Sequence, residues 1–255
     1  MKKLIVILGV FLLSSLSSCE YELSICTIFR DDAKYLPEWI EFHKDQGVEH
    51  FYLYNNLSTD NPDKILSKYK NDVTLIDWPF DYSDAGQWND IQCKSYLHCV
   101  KNASSKWIAF LDTDEFLFCV YHEDLKTMLK EYDNYGSVSA HWMMYGTSNV
   151  IIPEGGKIVD YLVYRENMTN PHTKSIGQTK YITNVTNPHW VESTLPNFIL
   201  DVRDVRINHY WSRDLWFFNN IKLPRREKWY HDTLGQIKSE KMMNEIYDPI
   251  LSNLL

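Results

Sequence analysis

Trp107-Ile108-Ala109-Phe110-Leu111 is an unbroken apolar run, too short for a helix and without the alternation of a strand that has one wet face. Such a run predicts a strand covered on both sides, as at the centre of a parallel sheet. The segments before it agree. Leu23 to Phe29 reads as a strand and is followed by the polar turn Arg30-Asp31-Asp32. Between Tyr35 and Gln46, Leu36, Trp39, Ile40 and Phe42 recur at helical spacing, with Pro37 near the start and Gly47 just past the end. His50 to Tyr54 reads as a second strand, Asn55 to Pro62 as a loop of turn formers, Ile65 and Leu66 as part of a helix, and Val73 to Ile76 as a third strand. Gln87 to Val100 reads as a helix leading into the apolar run; beyond it, Leu125 to Tyr132 looks helical and Ser137 to Met144 strand-like. Alternating strands and helices predict an α/β fold with crossover helices. No linker or repeat interrupts the 255 residues, so one domain is expected.

The apolar run ends in Asp112-Thr113-Asp114-Glu115. In open parallel sheets ligands bind beyond the carboxyl ends of the strands, which is where these acids fall. If the extended backbone continues, Asp112 and Asp114 project to one side. Two carboxylates held together repel unless a cation lies beside them, and oxygen ligands suit Mg²⁺ or Mn²⁺, whose other ligands commonly come from substrate phosphates and water. The competing reading is a solvated turn that ends a strand.

Composition narrows the partners. With 26 Lys and Arg against 34 Asp and Glu, the net charge is −8, and no basic stripe is visible, which argues against a nucleic-acid polymer. Aromatic residues make up 15%, which suits either core packing or a pocket that stacks on sugar faces. Cys26, Cys93, Cys99 and Cys119 form no CxxC or zinc-type cluster and read as buried thiols. The first nineteen residues read as an export signal: Lys2 and Lys3, the apolar run Leu4 to Leu13, then Leu16-Ser17-Ser18-Cys19. That run is shorter than the ~20 residues of a membrane-spanning helix. Its end resembles a bacterial lipobox with Cys19 as the lipidated residue, which would associate the chain with a membrane; a plain cleaved signal and an uncleaved anchor are the alternatives. The sequons at Asn56, Asn102, Asn167 and Asn184 are compatible with a secretory lumen but decide little.

Several strings taken together resemble glycosyltransferase family 92, the DUF23 group. They are Ile25 to Asp32, Tyr35 to His43, Tyr54 to Asp60, Leu111 to Phe116, Lys174 to Ile176, Asn187 to His189 and Ile207 to Tyr210. The resemblance runs from about Leu23 to about Lys222 and implies a GT-A fold over residues 20–255: a mixed, mainly parallel sheet flanked by helices. It further implies an inverting transferase that moves a hexose, such as galactose, from a UDP-sugar to a glycan hydroxyl with the help of Mn²⁺ (or Mg²⁺). On the matching positions, Asp112 and Asp114 take the place of the DXD motif for metal and diphosphate, and His209 that of a third metal ligand. Arg30 and Asp32 match the nucleotide-facing turn. Asn55, Asn56 and Asp60 occupy the loop near base and ribose, unless they only build that loop. Gln87 and Asn89 either reach the nucleotide or cap their helix. Lys174 and His189 also match, Lys174 as a cation for the leaving diphosphate.

Inverting transfer needs a base for the acceptor hydroxyl. Glu192 is the candidate, with Asp201, Asp204 and Asp214 as rivals; Trp142, Trp190 and Trp211 are candidates for stacking on sugar rings. A different class competes with the enzyme: an exported lipoprotein of the same fold that binds carbohydrate without turnover, because a bacterial periplasm is not expected to hold sugar nucleotides. A divalent-metal phosphodiesterase is a third option, disfavoured by the lack of a His-rich cluster.

Overall fold

The computed structural model describes residues 19–151 and 156–254. The N-terminal export signal and most of the lipobox lie outside them; Cys19 is exposed. No helix among the described residues is long and apolar enough to cross a membrane.

The first half alternates as expected: β1 (Tyr21–Phe29), α1 (Leu36–Asp45), β2 (His50–Asn55), α2 (Pro62–Leu66), β3 (Val73–Asp77), α3 (Ala85–Asn102) and β4 (Ser105–Phe110). The strands lie in the order β3-β2-β1-β4, all parallel. In β4, Trp107 and Ala109 join one hydrophobic cluster while Ile108 and Phe110 join the other, so a run without alternation does fill both faces. Helix α1 covers the first face with Leu36, Trp39, Ile40 and Phe42, and α3 the second with Ile91, Cys93, Tyr96 and Cys99. Removing a side chain the size of Trp39 from water contributes roughly 2–3 kcal/mol, and its indole Nε1–H also donates to the Glu115 carbonyl at 2.8 Å. Gly47, at φ +83°, turns the chain out of α1 in a region that side chains rarely adopt.

The second half reads less directly. It comprises β5 (Glu115–Cys119), α4 (Leu125–Leu129), β6 (Ser137–Met144), α5 (Ile158–Tyr161), β7 (Tyr164–Arg165), β8 (Asn170–Gln178), β9 (Ile182–Asn187), β10 (Trp190–Ser193), β11 (Asn197–Ile199) and β12 (Val205–His209). Strand β8 adds antiparallel to β4, β6 antiparallel to β8, and β12 parallel to β6, while β5 closes the edge antiparallel to β12. The sheet is therefore mixed and mainly parallel, flanked by helices. After β12 come α6 (Leu215–Phe217), a π-helical turn (Phe218–Lys222), α7 (Leu223–Tyr230), α8 (Thr233–Met242), β13 (Ile246–Tyr247) and α9 (Ile250–Leu254). The π turn has a cause in the sequence. Pro224, in the first turn of α7, has no N–H to give to the carbonyl four residues back, and its ring crowds that carbonyl. The ladder widens instead, with the Leu223 N–H reaching the Phe218 carbonyl. Cys26, Cys93, Cys99 and Cys119 are buried and unbridged, as read from the sequence.

Candidate active site

A cleft of about 600 Å³ opens at the carboxyl ends of β1 and β4, walled by Arg30, Asp32, Asp112, Asp114, His209 and Trp211 among others. Its floor is the acidic turn. Strand β4 stops at Phe110, and the chain turns so that the Glu115 N–H donates to the Asp112 carbonyl at 3.1 Å. The extended backbone expected through Asp114 is thus absent, and the two aspartates diverge. The carboxylate of Asp112 accepts from Gln92 Nε2 at 2.6 Å and meets Lys174 Nζ at 3.0 Å. Asp114 looks the other way, with Oδ1 at 3.3 Å from His209 Nε2 and Oδ2 at 3.6 Å from Lys222 Nζ.

Burial sets the electrostatics of this floor. Glu115 is fully buried, and desolvation raises its carboxyl well above the usual range despite Lys174 at 3.4 Å. Burial alone would lower Lys174, but Asp112 and Glu115 outweigh it and keep the ammonium charged. For Asp114 burial acts upward, and His209, Lys222 and Arg213 more than reverse it, holding the carboxylate well below its ordinary value. Lys222 is pushed down to about 7, first by burial and then by Arg225, Arg213 and Arg226, against the pull of Asp114.

Asp112, Asp114 and His209, the expected metal ligands, do not form one cluster among the described residues. No group of three or more His, Cys, Asp or Glu converges among the described residues. Asp112 does not converge with the other two: Gln92 and Lys174 sit on its oxygens, as His209 and Lys222 sit on those of Asp114. Asp114 and His209 do fit a divalent ion: two ligands at right angles about 2.1 Å from a cation sit roughly 3 Å apart, and the observed separation is 3.3 Å. The Nδ1 of His209 is buried without a hydrogen-bond partner, while its Nε2 faces Asp114 at 3.3 Å, so an ion seated between the two would take the place of that contact. Two protein ligands suffice where water and diphosphate supply the rest.

The other expected residues divide. Arg30, Asp32, Asn89, Lys174 and His189 line the cleft, as do Trp142 and Trp211. Asp32 accepts from Arg213 Nη1 at 2.6 Å and from the Thr113 hydroxyl at 2.8 Å. His189 is held down to about 4, by burial and then Lys174, so it is neutral near pH 7. Lys174 points into the protein at Asp112 and Glu115, so it is a partner of the floor rather than a free cation. Three loop residues tie their loop to itself and to neighbouring segments and do not line the cleft. Asn55 accepts from the Ser58 N–H, Asn56 donates to the Trp78 and Phe80 carbonyls, and Asp60 accepts from the Ala33 N–H. Gln87 caps: its amide oxygen accepts from the Ser83 N–H while its own N–H donates to Asp84. Glu192 is exposed on the β9–β10 hairpin, bonded to the Thr186 hydroxyl and outside the cleft walls, so the structure does not place it as the base. Its rivals fare no better, since Asp201 pairs with Arg203, Asp214 caps α6 and Asp204 is absent from the walls. Trp190 is 53% exposed and also lies outside.

Sequence reading missed Gln92 and the cations of the last quarter, Arg213, Lys222, Arg225 and Arg226. Gln92 was one polar residue on a helix with no motif around it. Lys222, Arg225 and Arg226 sit in a mixed run, Lys222-Leu223-Pro224-Arg225-Arg226-Glu227-Lys228-Trp229-Tyr230, which resembles a solvated helix face, and Arg213 stands alone ahead of it. The available signal was positive charge interleaved with aromatics in an acidic chain.

Fold and cleft define an α/β protein of the class that takes a ligand across the carboxyl ends of its parallel strands. A family model, glycosyltransferase family 92, matches residues 20–252, and the chain belongs to that family. It is 30% identical to a family 92 protein of Ricinus communis over 55% of this chain and 26% of that one. It is also similar to the beta-1,4-galactosyltransferase galt-1 of Caenorhabditis elegans, at 34% identity over 38% of this chain and 25% of that one. The chain thus spans about a quarter of the length of these curated relatives. Among solved structures it is similar to S. aureus TarS 1-349 in complex with UDP, with a TM-score of 0.46 and 12% identity over 87% of this chain and 70% of that one. A second is glucosyl-3-phosphoglycerate synthase of Mycobacterium tuberculosis with Mn²⁺ and UDP-glucose, at a TM-score of 0.38 and 9% identity over 64% and 59%.

Proposed function

We propose that the chain is a divalent-metal-dependent glycosyltransferase that moves a hexose from a UDP-sugar to a glycan hydroxyl with inversion. The observation that carries this reading is Asp114 and His209, set 3.3 Å apart on the floor of a cleft at the sheet's carboxyl edge. Asp114 and His209 would hold the ion, Mn²⁺ or Mg²⁺, which when bound supplies charge stabilisation to the departing diphosphate. Asp112 stays on the floor as an acceptor, steadied by Gln92 and Lys174. Arg30 and Asn89, on the cleft wall, face the nucleotide. Trp142 stacks on His172 with the rings 5.2 Å apart, and this aromatic shelf supports an acceptor sugar. Galactose is favoured as the sugar by the activity in the worm relative's name. The expected setting is exported, as a membrane-anchored lipoprotein or in a secretory lumen.

The silent carbohydrate-binding reading draws on one observation: Lys174 and Lys222 each face one of the two aspartates. One assay separates the two. With UDP-galactose, Mn²⁺ and a glycan acceptor, the purified protein is expected to release UDP, and Asp114→Asn to lower that rate by about 100-fold or more, the scale of losing a main electrostatic group, with little change in thermal unfolding. Glycan binding with no turnover by the unaltered protein would establish the silent reading.

A further inference from the structure

Lys174 is turned inward, so a leaving diphosphate must find its positive charge elsewhere in the cleft. Setting aside Lys174 and its partner Asp112, the walls carry four Lys and Arg against two Asp and Glu, a positive excess inside a chain of net charge −8. Such an inversion of sign is costly unless an anion arrives to use it. The excess comes from the last quarter of the chain. Lys222, at the end of the π turn, and Arg225 and Arg226, in the first turn of α7, all line the cleft. Among the described residues, the ion pairs of this region are Arg213 with Asp32 and Lys222 with Asp114; Arg225 and Arg226 make none. Their guanidinium groups lie over aromatic rings instead, Arg225 at 5.5 Å from the centre of Trp229 and Arg226 at 4.2 Å from that of Tyr230 and 5.7 Å from that of Trp211. Each has a buried Nε without a hydrogen-bond partner. Arginines on the surface of a solvated helix satisfy such donors with water; these two hold theirs out of water, beside the floor, with no protein acceptor.

We propose that Arg225 and Arg226, with Lys222 beneath them, clasp the diphosphate of a nucleoside diphosphate and carry its charge in partnership with any ion on Asp114 and His209. The inference rests on the donor-site reading above and adds the groups that hold the leaving portion. The aromatic rings fix the guanidinium planes, so less freedom is lost when they fork onto phosphate oxygens. Cations already in place where the departing UDP gathers negative charge stabilise it without rearrangement.

The test is calorimetry on the whole chain with UDP and with uridine, in EDTA and in Mn²⁺. Arg225→Ala and Arg226→Ala are each expected to weaken UDP about ten-fold or more, the scale of a charge-assisted hydrogen bond, in both media, and to leave uridine unchanged. Arg226→Lys, which keeps the charge and loses the fork, is expected to fall between. A companion measurement needs no variant: UDP affinity of the unaltered protein should drop steeply with salt while uridine affinity does not. UDP binding that is equally tight in the unaltered protein and both alanine variants, or insensitive to salt, would overturn the clamp and leave the donor site standing. No UDP binding by the unaltered protein would overturn the donor-site reading, and the clamp with it.

Discussion

His43 lies between α1 and β5 at 0% exposure, its Nδ1–H donating to the Trp39 carbonyl at 2.8 Å and its Nε2 accepting from the Leu117 N–H at 3.2 Å. One ring nitrogen gives and the other takes, so the neutral imidazole satisfies both partners, and burial lowers its pKa to about 3. Between the ordinary value near 6.5 and that depressed value, the unfolded chain binds a proton that the folded chain refuses. Stability is therefore fully present above about pH 6.5 and is lost as pH falls, by about 1.4 kcal/mol per pH unit for this group. Denaturant unfolding from about pH 6 to 4.5 should show a slope smaller by that amount in His43→Gln, and parallel slopes would mean that His43 is charged in the fold. At this scale the sequence was legible where a motif constrained it and silent where a side chain had two equally ordinary uses. Asp114 and His209 were singled out because a buried strand and a family string pointed to them, and the structure sets their side chains side by side. Asn55, Asn56 and Asp60 satisfy loop donors and acceptors, and nothing in their identity distinguishes that work from contact with a nucleotide.

Among elements, the half up to β4 could be read because each piece buries its own local pattern: period two or an unbroken run for strands, 3.6 for helices. Strand β8 defeats such reading. Asn170 to Thr173 are mainly polar and exposed or half-buried while Lys174 to Gln178 are buried, and two of the buried residues, Lys174 and Gln178, are tied by hydrogen bonds into the surrounding structure. The π turn was also hidden, although its cause, Pro224, is plain in hindsight. Pro224→Ala restores the missing N–H and removes the crowding, so the segment is expected to close into ordinary α-helix and rotate Lys222 away from Asp114. The expected result is equal or slightly higher thermal stability with UDP affinity reduced several-fold, on the scale of one weakened phosphate contact. Unaltered affinity, with the helix shown continuous by its crystal structure, would mean that the widened turn does not aim the cations.

The molecule is assembled late. Strand β12, wholly buried, enters the sheet between β6 and β5, and nothing local in its sequence announces that place. A chain ending at Asp204 lacks the strand that joins β5 to the rest of the sheet, as well as His209 and the basic helix. It is expected to show no cooperative unfolding transition by circular dichroism, whereas a cooperative transition would mean that the sheet closes without β12. The Asp32–Arg213 bond spans 181 residues and joins the first turn of the cleft to its last wall. Translation order therefore has a chemical effect: a nascent chain displays Asp112 and Asp114 long before the residues that neutralise Asp114 leave the ribosome. The site proposed above would be complete only once residues 205–226 are in place, and a product cut before them would be inert rather than unregulated.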